Sequence, residues 1–389
     1  TTVVKTDEPA RNKSKDAPVI GILTTNRMPM GRIRPCGVQG ELSYLSRMGR
    51  RINGSVYVFH PWDIDWKNHR FAGYRFHPED DGFGRWERCS MPPPDVVYDQ
   101  IYNRVAERKY LLARTRLKKL TKGRYFNPCY LNKLTVHRNL SKLEEMRPHM
   151  PETRLLRKPE DLRAMISSYK SLYIKPVGGS LGRGIIRITR ESGRFVYKTR
   201  GGRVGHALSV ADLYRKIKRI TGKKTYIVQQ GIDLILFQGR VVDIRSLMQK
   251  NGQGEWSITK VYARVGPQGN ITSNLASGGT AHPLKKVISA SFNPEQVEAI
   301  REQIRKLSVK VCEAVEITSG EIFGEMGVDL GLDKKGRLWV IEVNSKPRRT
   351  TGGKGSRRLI TLSFSKPLRF AAHLVQNGKS RDHSRSQRG

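Results

Sequence analysis

Acidic residues are scarce in this sequence. Only 34 of 389 residues are Asp or Glu, against 73 Lys or Arg, which leaves a formal charge of +39. A field of that sign attracts polyanions of several kinds, from nucleotides to acidic polymers, without choosing among them. Aromatic residues are also few, at 8%, and no familiar nucleic-acid-reading motif is evident, so nucleic acid is not the favoured partner. No run approaches the roughly 20 apolar residues that a membrane helix requires. The first eighteen residues hold no apolar segment, so no secretory signal is expected there. The four cysteines, Cys36, Cys89, Cys129 and Cys312, stand far apart with no Cys-x-x-Cys pair. That spacing suits neither a zinc site nor a disulfide framework, and it fits a reducing compartment.

What is present divides the chain into segments. Residues 1–17 and about 376–389 are basic and poor in apolar side chains, and read as disordered tails. Residues 18–120 read as a small α/β unit. VIGILTT and SVYVFH are apolar strands, a helix is expected near Gln39–Arg50, and a turn-rich stretch precedes the strand in PPPDVVYDQIY (92–102). Arg104–Leu120 reads as one basic helix. Residues 121–375 are strand-rich, with helices expected at 159–169, 209–220 and 294–315, the last opened by the capping sequence Asn293-Pro294-Glu295.

Two hairpins carry the chemistry. In SLYIKPVGGSLGRGIIRITR (171–190), a strand bearing Lys175 runs into Gly178-Gly179-Ser180-Leu181-Gly182-Arg183-Gly184 and then directly into a second strand. Glycines let backbone N–H groups approach phosphate oxygens, but a dinucleotide fold or a P-loop needs a helix after them. The segment is therefore a glycine-rich hairpin that could cover phosphates, or a plain tight turn. In EIFGEMGVDLGLDKKGRLWVIEVNSKP (321–347), two strands flank the turn Asp333–Gly336. Pairing Leu332 with Arg337 sets Asp329 opposite Val340, with Glu342 and Asn344 following on the same face. Asp329 and Glu342 then become diagonal neighbours roughly 7 Å apart. Oxygen ligands without thiol or imidazole suit a hard cation such as Mg²⁺. The competing reading is a solvated polar face, but Glu342 sits inside the apolar run LWVIEV, where an unpaired carboxylate is costly.

In this order, the hairpins resemble those of the ATP-grasp superfamily. Residues 18–375 resemble its YheC/YheD-like endospore coat-associated branch, through VVYDQIYNR (96–104), NKLTVHRNLS (132–141), PET (151–153), IKPVGGSLGRGI (174–185), YIVQQGIDL (226–234), VVDIRSLMQK (241–250), NLASGGTAHPL (274–284) and residues 324–347. The resemblance implies an α/β pre-ATP-grasp domain followed by an α+β ATP-grasp fold with subdomains at about 121–228 and 229–375. It also implies that Lys133 and Lys175 contact nucleotide, with Gly179, Ser180, Leu181, Gly182 and Gly184 as the phosphate loop. Gln229, Gln230, Gly231 and Ile232 would read adenine and Asp233 the ribose. Arg245, Arg264 and Asn274 would serve the reacting groups, and Asp329, Glu342 and Asn344 would hold Mg²⁺, with Mn²⁺ as a substitute. The activity implied is an ATP-dependent carboxylate–amine ligase working through an acyl phosphate, in the cytoplasm of a sporulating mother cell or at its spore coat. The alternative is a non-catalytic, polyanion-binding coat protein on the same scaffold.

Two basic runs stand out. Residues 104–124 hold nine Lys or Arg and one acid, Glu107, and residues 346–358 hold six and no acid. Lys346, Arg348, Arg349, Lys354, Arg357 and Arg358 follow Asn344 directly, so they are expected to rim the site and recruit an acidic peptide or polymer. Asp243 and Arg245, two apart on a strand, read either as a surface ion pair or as an arginine fork for a ligand.

Overall fold

The computed structural model describes residues 17–52, 54–179, 183–273, 275, 278–349 and 356–386. Ser180, Leu181, Gly182, Asn274 and Lys354 lie outside them.

The first sheet is assembled around β1 (Val19–Leu23), whose apolar residues are covered on both faces. Its strands are completed by β2 (Arg32–Ile33), β3 (Ser55–Asp65), β4 (Arg70–Pro78), β5 (Gly84–Met91), β6 (Val96–Asp99) and β7 (Tyr125–Phe126), in the order β2-β5-β4-β3-β1-β6-β7. β1 runs parallel to β3 and β6, so Ile20 and Ile22 enter one apolar cluster while Leu23, Tyr57 and Phe59 enter another. Such two-sided burial is what a parallel core strand requires. β3, β4 and β5 form an antiparallel meander where the sequence analysis expected turn-rich chain. Its alternation was hidden by charged residues, Arg85 and Glu87 on the open face and Arg88 on the same face as the buried Trp86. α1 (Gly37–Met48) packs on this sheet. The expected single helix is two, α2 (Arg104–Lys109) and α3 (Leu111–Leu120), broken at Tyr110.

After α4 (Lys133–Leu140), the second sheet combines β8 (Thr153–Leu155), β9 (Ser171–Pro176), β10 (Ile186–Glu191), β11 (Arg194–Thr199), β12 (Val204–Ala207) and β13 (Tyr226–Gln230), in the order β12-β11-β10-β9-β13-β8. Helices α5 (Pro159–Ser168) and α6 (Val210–Thr221) close one face through Leu162, Met165, Leu213 and Ile217. The third sheet holds β14 (Leu236–Phe237), β15 (Arg240–Lys250), β16 (Trp256–Val265), β17 (Thr280–His282), β18 (Glu325–Leu332) and β19 (Leu338–Asn344), with β15 and β18 at its centre. Between β17 and β18 run α7 (Leu284–Ile288) and α8 (Pro294–Ser319). α8 presents Ile300, Ile304, Leu307, Val311 and Val315 to this sheet at helical spacing. Its N-terminus carries the expected cap, with Asn293 and Gln296 exchanging side-chain to backbone bonds.

The last helix, α9 (Arg357–Ser386), inserts Phe364, Leu368, Phe370, Ala371 and Val375 into the core beneath the first sheet. It remains helical to Ser386, past residue 376 where composition suggested a disordered tail. No described helix is long and apolar enough to cross a membrane. The four cysteines are free thiols.

Candidate active site between the second and third sheets

A cleft of about 1240 Å³, its open mouth included, lies between the second and third sheets. Its basic wall begins at Lys133, the first residue of α4, where Asn132 caps the helix by accepting from the Leu134 and Thr135 amides at 3.0 and 3.2 Å. Lys175 reaches in from β9 and donates to Gln229 Oε1 at 2.5 Å, while Gln229 donates in turn to Thr153 Oγ1 at 2.8 Å. Burial desolvates the Lys175 ammonium and the Lys133 charge repels it, and together they bring its pKa down to about 8.

The acidic wall is the β18–β19 hairpin. Leu332 pairs with Leu338, not Arg337, and the register shifts between Asp329 and Leu330. That irregularity corrects the diagonal arrangement expected from sequence: Asp329 lies directly opposite Glu342, and Gly327 opposite Asn344. The row continues across the sheet, because Arg245 stands beside Asp329 and Tyr262 beside Arg245. Gly327 belongs to the same design. A Cβ there would lie 2.8 Å from Arg245 Nη1 and 3.1 Å from Pro347 Cβ, so a bare backbone keeps room for the guanidinium.

These carboxylates are held by cations. Arg245 grips Asp329 through Nε and through Nη2 at 3.1 Å, and Arg264 Nη2 adds a contact at 2.8 Å. Burial would raise the Asp329 carboxyl pKa, but the two guanidiniums outweigh it and hold the group below its ordinary range. Arg264 also binds Asp243 in a bidentate fork at 2.5 and 2.6 Å, and Ser273 donates to the same carboxylate at 2.5 Å. Of the two readings of Asp243 and Arg245, the mutual surface ion pair is not formed: each residue enters a cross-strand fork, Asp243 with Arg264 and Arg245 with Asp329. Glu342 is half-open to solvent and pairs with Lys133, so the basic wall touches the acidic one.

Other expected residues divide between the cleft and its surroundings. Gly179, Gln229, Gln230 and Ile232 line it. Gly184 adopts φ +77°, close against the Tyr226 hydroxyl, as the end of the turn requires. Gly231 lies against Ser171, where a Cβ would come within 2.1 Å of its hydroxyl oxygen, and packs subdomain backbone rather than lining the cleft. Asp233 faces solvent and pairs with Lys334 at 3.0 Å, away from the cleft lining. Asn344 accepts from the Lys346 amide at 3.0 Å.

Several lining residues were missed: His137, Tyr173, Arg183 and Thr272. Two were within reach of periodicity, since His137 is one helical turn beyond Lys133 and Tyr173 two strand positions before Lys175. Burial lowers the His137 pKa, and its Nε2 lies 2.6 Å from the Pro151 carbonyl oxygen.

The proposed basic rim is corrected in part. Lys346 is buried, 2.8 Å from Asp99 and 3.1 Å from Glu107. Arg349 is buried, 2.9 Å from Glu41 and 2.5 Å from Glu325. Both fasten the third sheet to the first, and only Arg348, Arg357 and Arg358 of that run are exposed among the described residues.

Asp329, Glu342 and Asn344 are oxygen donors of the kind a hard divalent cation takes, but such a cation would have to displace Lys133 from Glu342, share Asp329 with Arg245 and Arg264, and share the Asn344 oxygen with the Lys346 amide. Among the described residues no cluster of three or more His, Cys, Asp or Glu side chains forms a metal cage. Two carboxylates and an amide leave positions for water and phosphate oxygens, the usual coordination of Mg²⁺.

Comparison with known proteins places this arrangement. The endospore coat-associated protein YheD of Bacillus subtilis (strain 168) is 31% identical over 317 residues, 79% of this chain and 68% of YheD. YheC of the same organism is 24% identical over 318 residues, 80% of this chain and 86% of YheC. The fold resembles D-cycloserine synthetase DcsG (TM-score 0.51, 14% identity, 92% of this chain and 99% of that one). It also resembles the D-alanine–D-alanine ligase of Coxiella burnetii (TM-score 0.51, 11% identity, 95% and 98% of the two chains). A sequence model of the YheC/D-like ATP-grasp family matches residues 122–374, the span that builds both walls of the cleft, and the chain belongs to that family.

Proposed function

We propose that the chain is an ATP-dependent carboxylate–amine ligase. Family membership supports ATP-dependent ligase chemistry in general, and one observation carries the finer reading. Two lysines that repel each other face two carboxylates directly paired on a hairpin, across a cleft with apolar flanks. A nucleotide satisfies every part of that arrangement. Its phosphates would relieve the Lys133–Lys175 repulsion, and Ile227, Ile232, Leu234 and Ile271, which line the cleft with Gln229 and Gln230, would receive its base. Bound at Asp329, Glu342 and Asn344, a divalent cation, Mg²⁺ or Mn²⁺, supplies positive charge to phosphate oxygens.

In the proposed reaction a substrate carboxylate oxygen attacks the γ-phosphorus, giving an acyl phosphate and ADP. An amine then attacks the acyl carbon, the C–O bond breaks, phosphate leaves and the amine loses its proton. Lys175 and Lys133 bind the phosphates. Arg245 and Arg264 hold Asp329 ionised and oriented, which makes them positioning residues in place of the direct substrate contacts first expected. Exclusion of water from the cleft would protect the acyl phosphate. The coat association in the names of YheD and YheC motivates a proposed place at the spore coat or in the mother-cell cytoplasm.

The test is ADP release in the presence of carboxylate and amine panels, with acidic peptides included. Glu342→Ala should lose ADP release while its thermal unfolding stays close to the parent's. Full turnover in that variant would refute the assignment.

A further inference from the structure

The outer face of α2 and α3 is chemically unlike the rest of the surface. Val105, Leu111 and Leu112 are 74%, 60% and 65% exposed, and Trp62 beside them is 44% exposed. Within α3, Leu112, Arg116 and Lys119 recur at helical spacing and Leu111, Thr115 and Lys118 form the adjacent row, while Val105, Arg108 and Lys109 lie on α2 just before the break at Tyr110; all are exposed. The inward face is fixed by Leu117 in the core and by Glu107, which is buried against Lys346.

Charge on this face is one-sided. Glu107 is the sole acid in residues 104–124, and it is turned inward, so these two helices expose no carboxylate of their own. Lys118 pairs with Glu321, whereas among the described residues no carboxylate lies within ion-pair distance of Arg108, Lys109, Arg116 or Lys119. Aromatic rings sit under the charges: Trp62 lies 5.6 Å from Tyr110, Lys109 stands over Tyr110 at 5.3 Å, and Arg116 over Trp66 at 5.6 Å.

We propose that this face docks on an anionic lipid bilayer surface. The patch is the outer side of two helices, and Val105, Leu111 and Leu112 lie outside the lining of the cleft. Exposed aliphatic side chains interleaved with Lys and Arg, with a Trp at the edge, match an interface where apolar groups enter the headgroup boundary and cations meet lipid phosphates. Long cationic side chains keep their heads in water while their stems lie along apolar surface. This inference does not depend on the proposed ligase activity.

The full chain should co-sediment with vesicles of equal parts phosphatidylglycerol and phosphatidylcholine, and far less with pure phosphatidylcholine. Because the charge of the whole molecule draws it to any anionic surface, two variants decide the matter. Leu111→Ser with Leu112→Ser, which leaves charge unchanged, should lower partitioning roughly tenfold or more. Arg108→Glu with Lys109→Glu should lower it roughly tenfold beyond the matched reversal Lys223→Glu with Lys224→Glu, placed on an exposed turn elsewhere. Thermal unfolding checks that each variant is folded. Unchanged vesicle binding by the leucine variant, or equal losses from the two charge reversals, would overturn the proposal. Leucine-dependent binding to polyglutamate without vesicle binding would overturn it in favour of an acidic protein partner.

Discussion

Two regions of this protein bury lysines and arginines among carboxylates, and they solve the problem differently. At the junction of the first and third sheets, each buried cation is met by two carboxylates, although Arg349 Nε itself has no partner. Lys346 is met by Asp99, Glu107 and the Ile101 carbonyl, and Arg349 by Glu41, Glu325 and Gln100. In the cleft the matching is incomplete. Lys175 has an amide oxygen and a second ammonium for neighbours, and Lys133 borrows Glu342 from the hairpin. Cations outnumbered by carboxylates hold a fold together, whereas a pair of lysines sharing one carboxylate is poised for a charged ligand. The distinction lies in the partners, because the residue types are the same.

The comparison would break most visibly at Arg349. Removing its guanidinium leaves Glu41 and Glu325 buried without a counter-ion, a change expected to cost about 3–5 kcal/mol. Arg349→Ala should lower the denaturation midpoint strongly, while Arg357→Ala, at an exposed position a few residues on, should stay within about 0.5 kcal/mol. Equal small losses would mean that the junction is not held by its charges.

Lys175→Ala sharpens the other side. An ammonium contact to phosphate is worth about 1.5–3 kcal/mol, so nucleotide affinity should fall roughly tenfold or more. Stability should hold or rise, since the variant also removes a repulsive, desolvated charge. Equal nucleotide dissociation constants in parent and variant would remove Lys175 from the phosphate site.

Much of this contrast was invisible in sequence, for specific reasons. The strand carrying Lys175, the hairpin carrying Asp329 and Glu342, and α8 were all legible, because apolar alternation, a plain turn and a capping box each fix local structure. The shift between Asp329 and Leu330 was not legible, since nothing in LWVIEV marks which residue drops out of register. Nor could spacing reveal that Arg245 serves Asp329, because that fork joins strands far apart in the chain, or that Arg264 serves Asp243, because it depends on the exact register of β15 against β16. The basic run after Asn344 misled most. A string of cations without acids reads as surface, yet Lys346 and Arg349 find their carboxylates on the first sheet and on Glu325, which no local pattern announces.

The smallest effect separates the two regions by pH. With its pKa brought down to about 8, Lys175 loses its proton in the free protein well below the ordinary lysine value near 10.4. Between these values the unfolded chain binds more protons at this position than the folded one, so through Lys175 the free protein gains stability as pH rises from about 8 to 10.4. Nucleotide affinity should move in the opposite direction. Phosphate favours the charged ammonium, so binding above pH 8 must take up a proton, and affinity should fall by as much as tenfold for each further pH unit, about 1.4 kcal/mol. Calorimetric titration at pH 8.5 in two buffers of different ionisation enthalpy reads that proton uptake directly. Lys175→Ala should abolish the part due to this group. A proton uptake that survives in Lys175→Ala would assign the titration to another group in the cleft, and the mismatched pair of lysines would lose its claim to be the nucleotide's counter-charge.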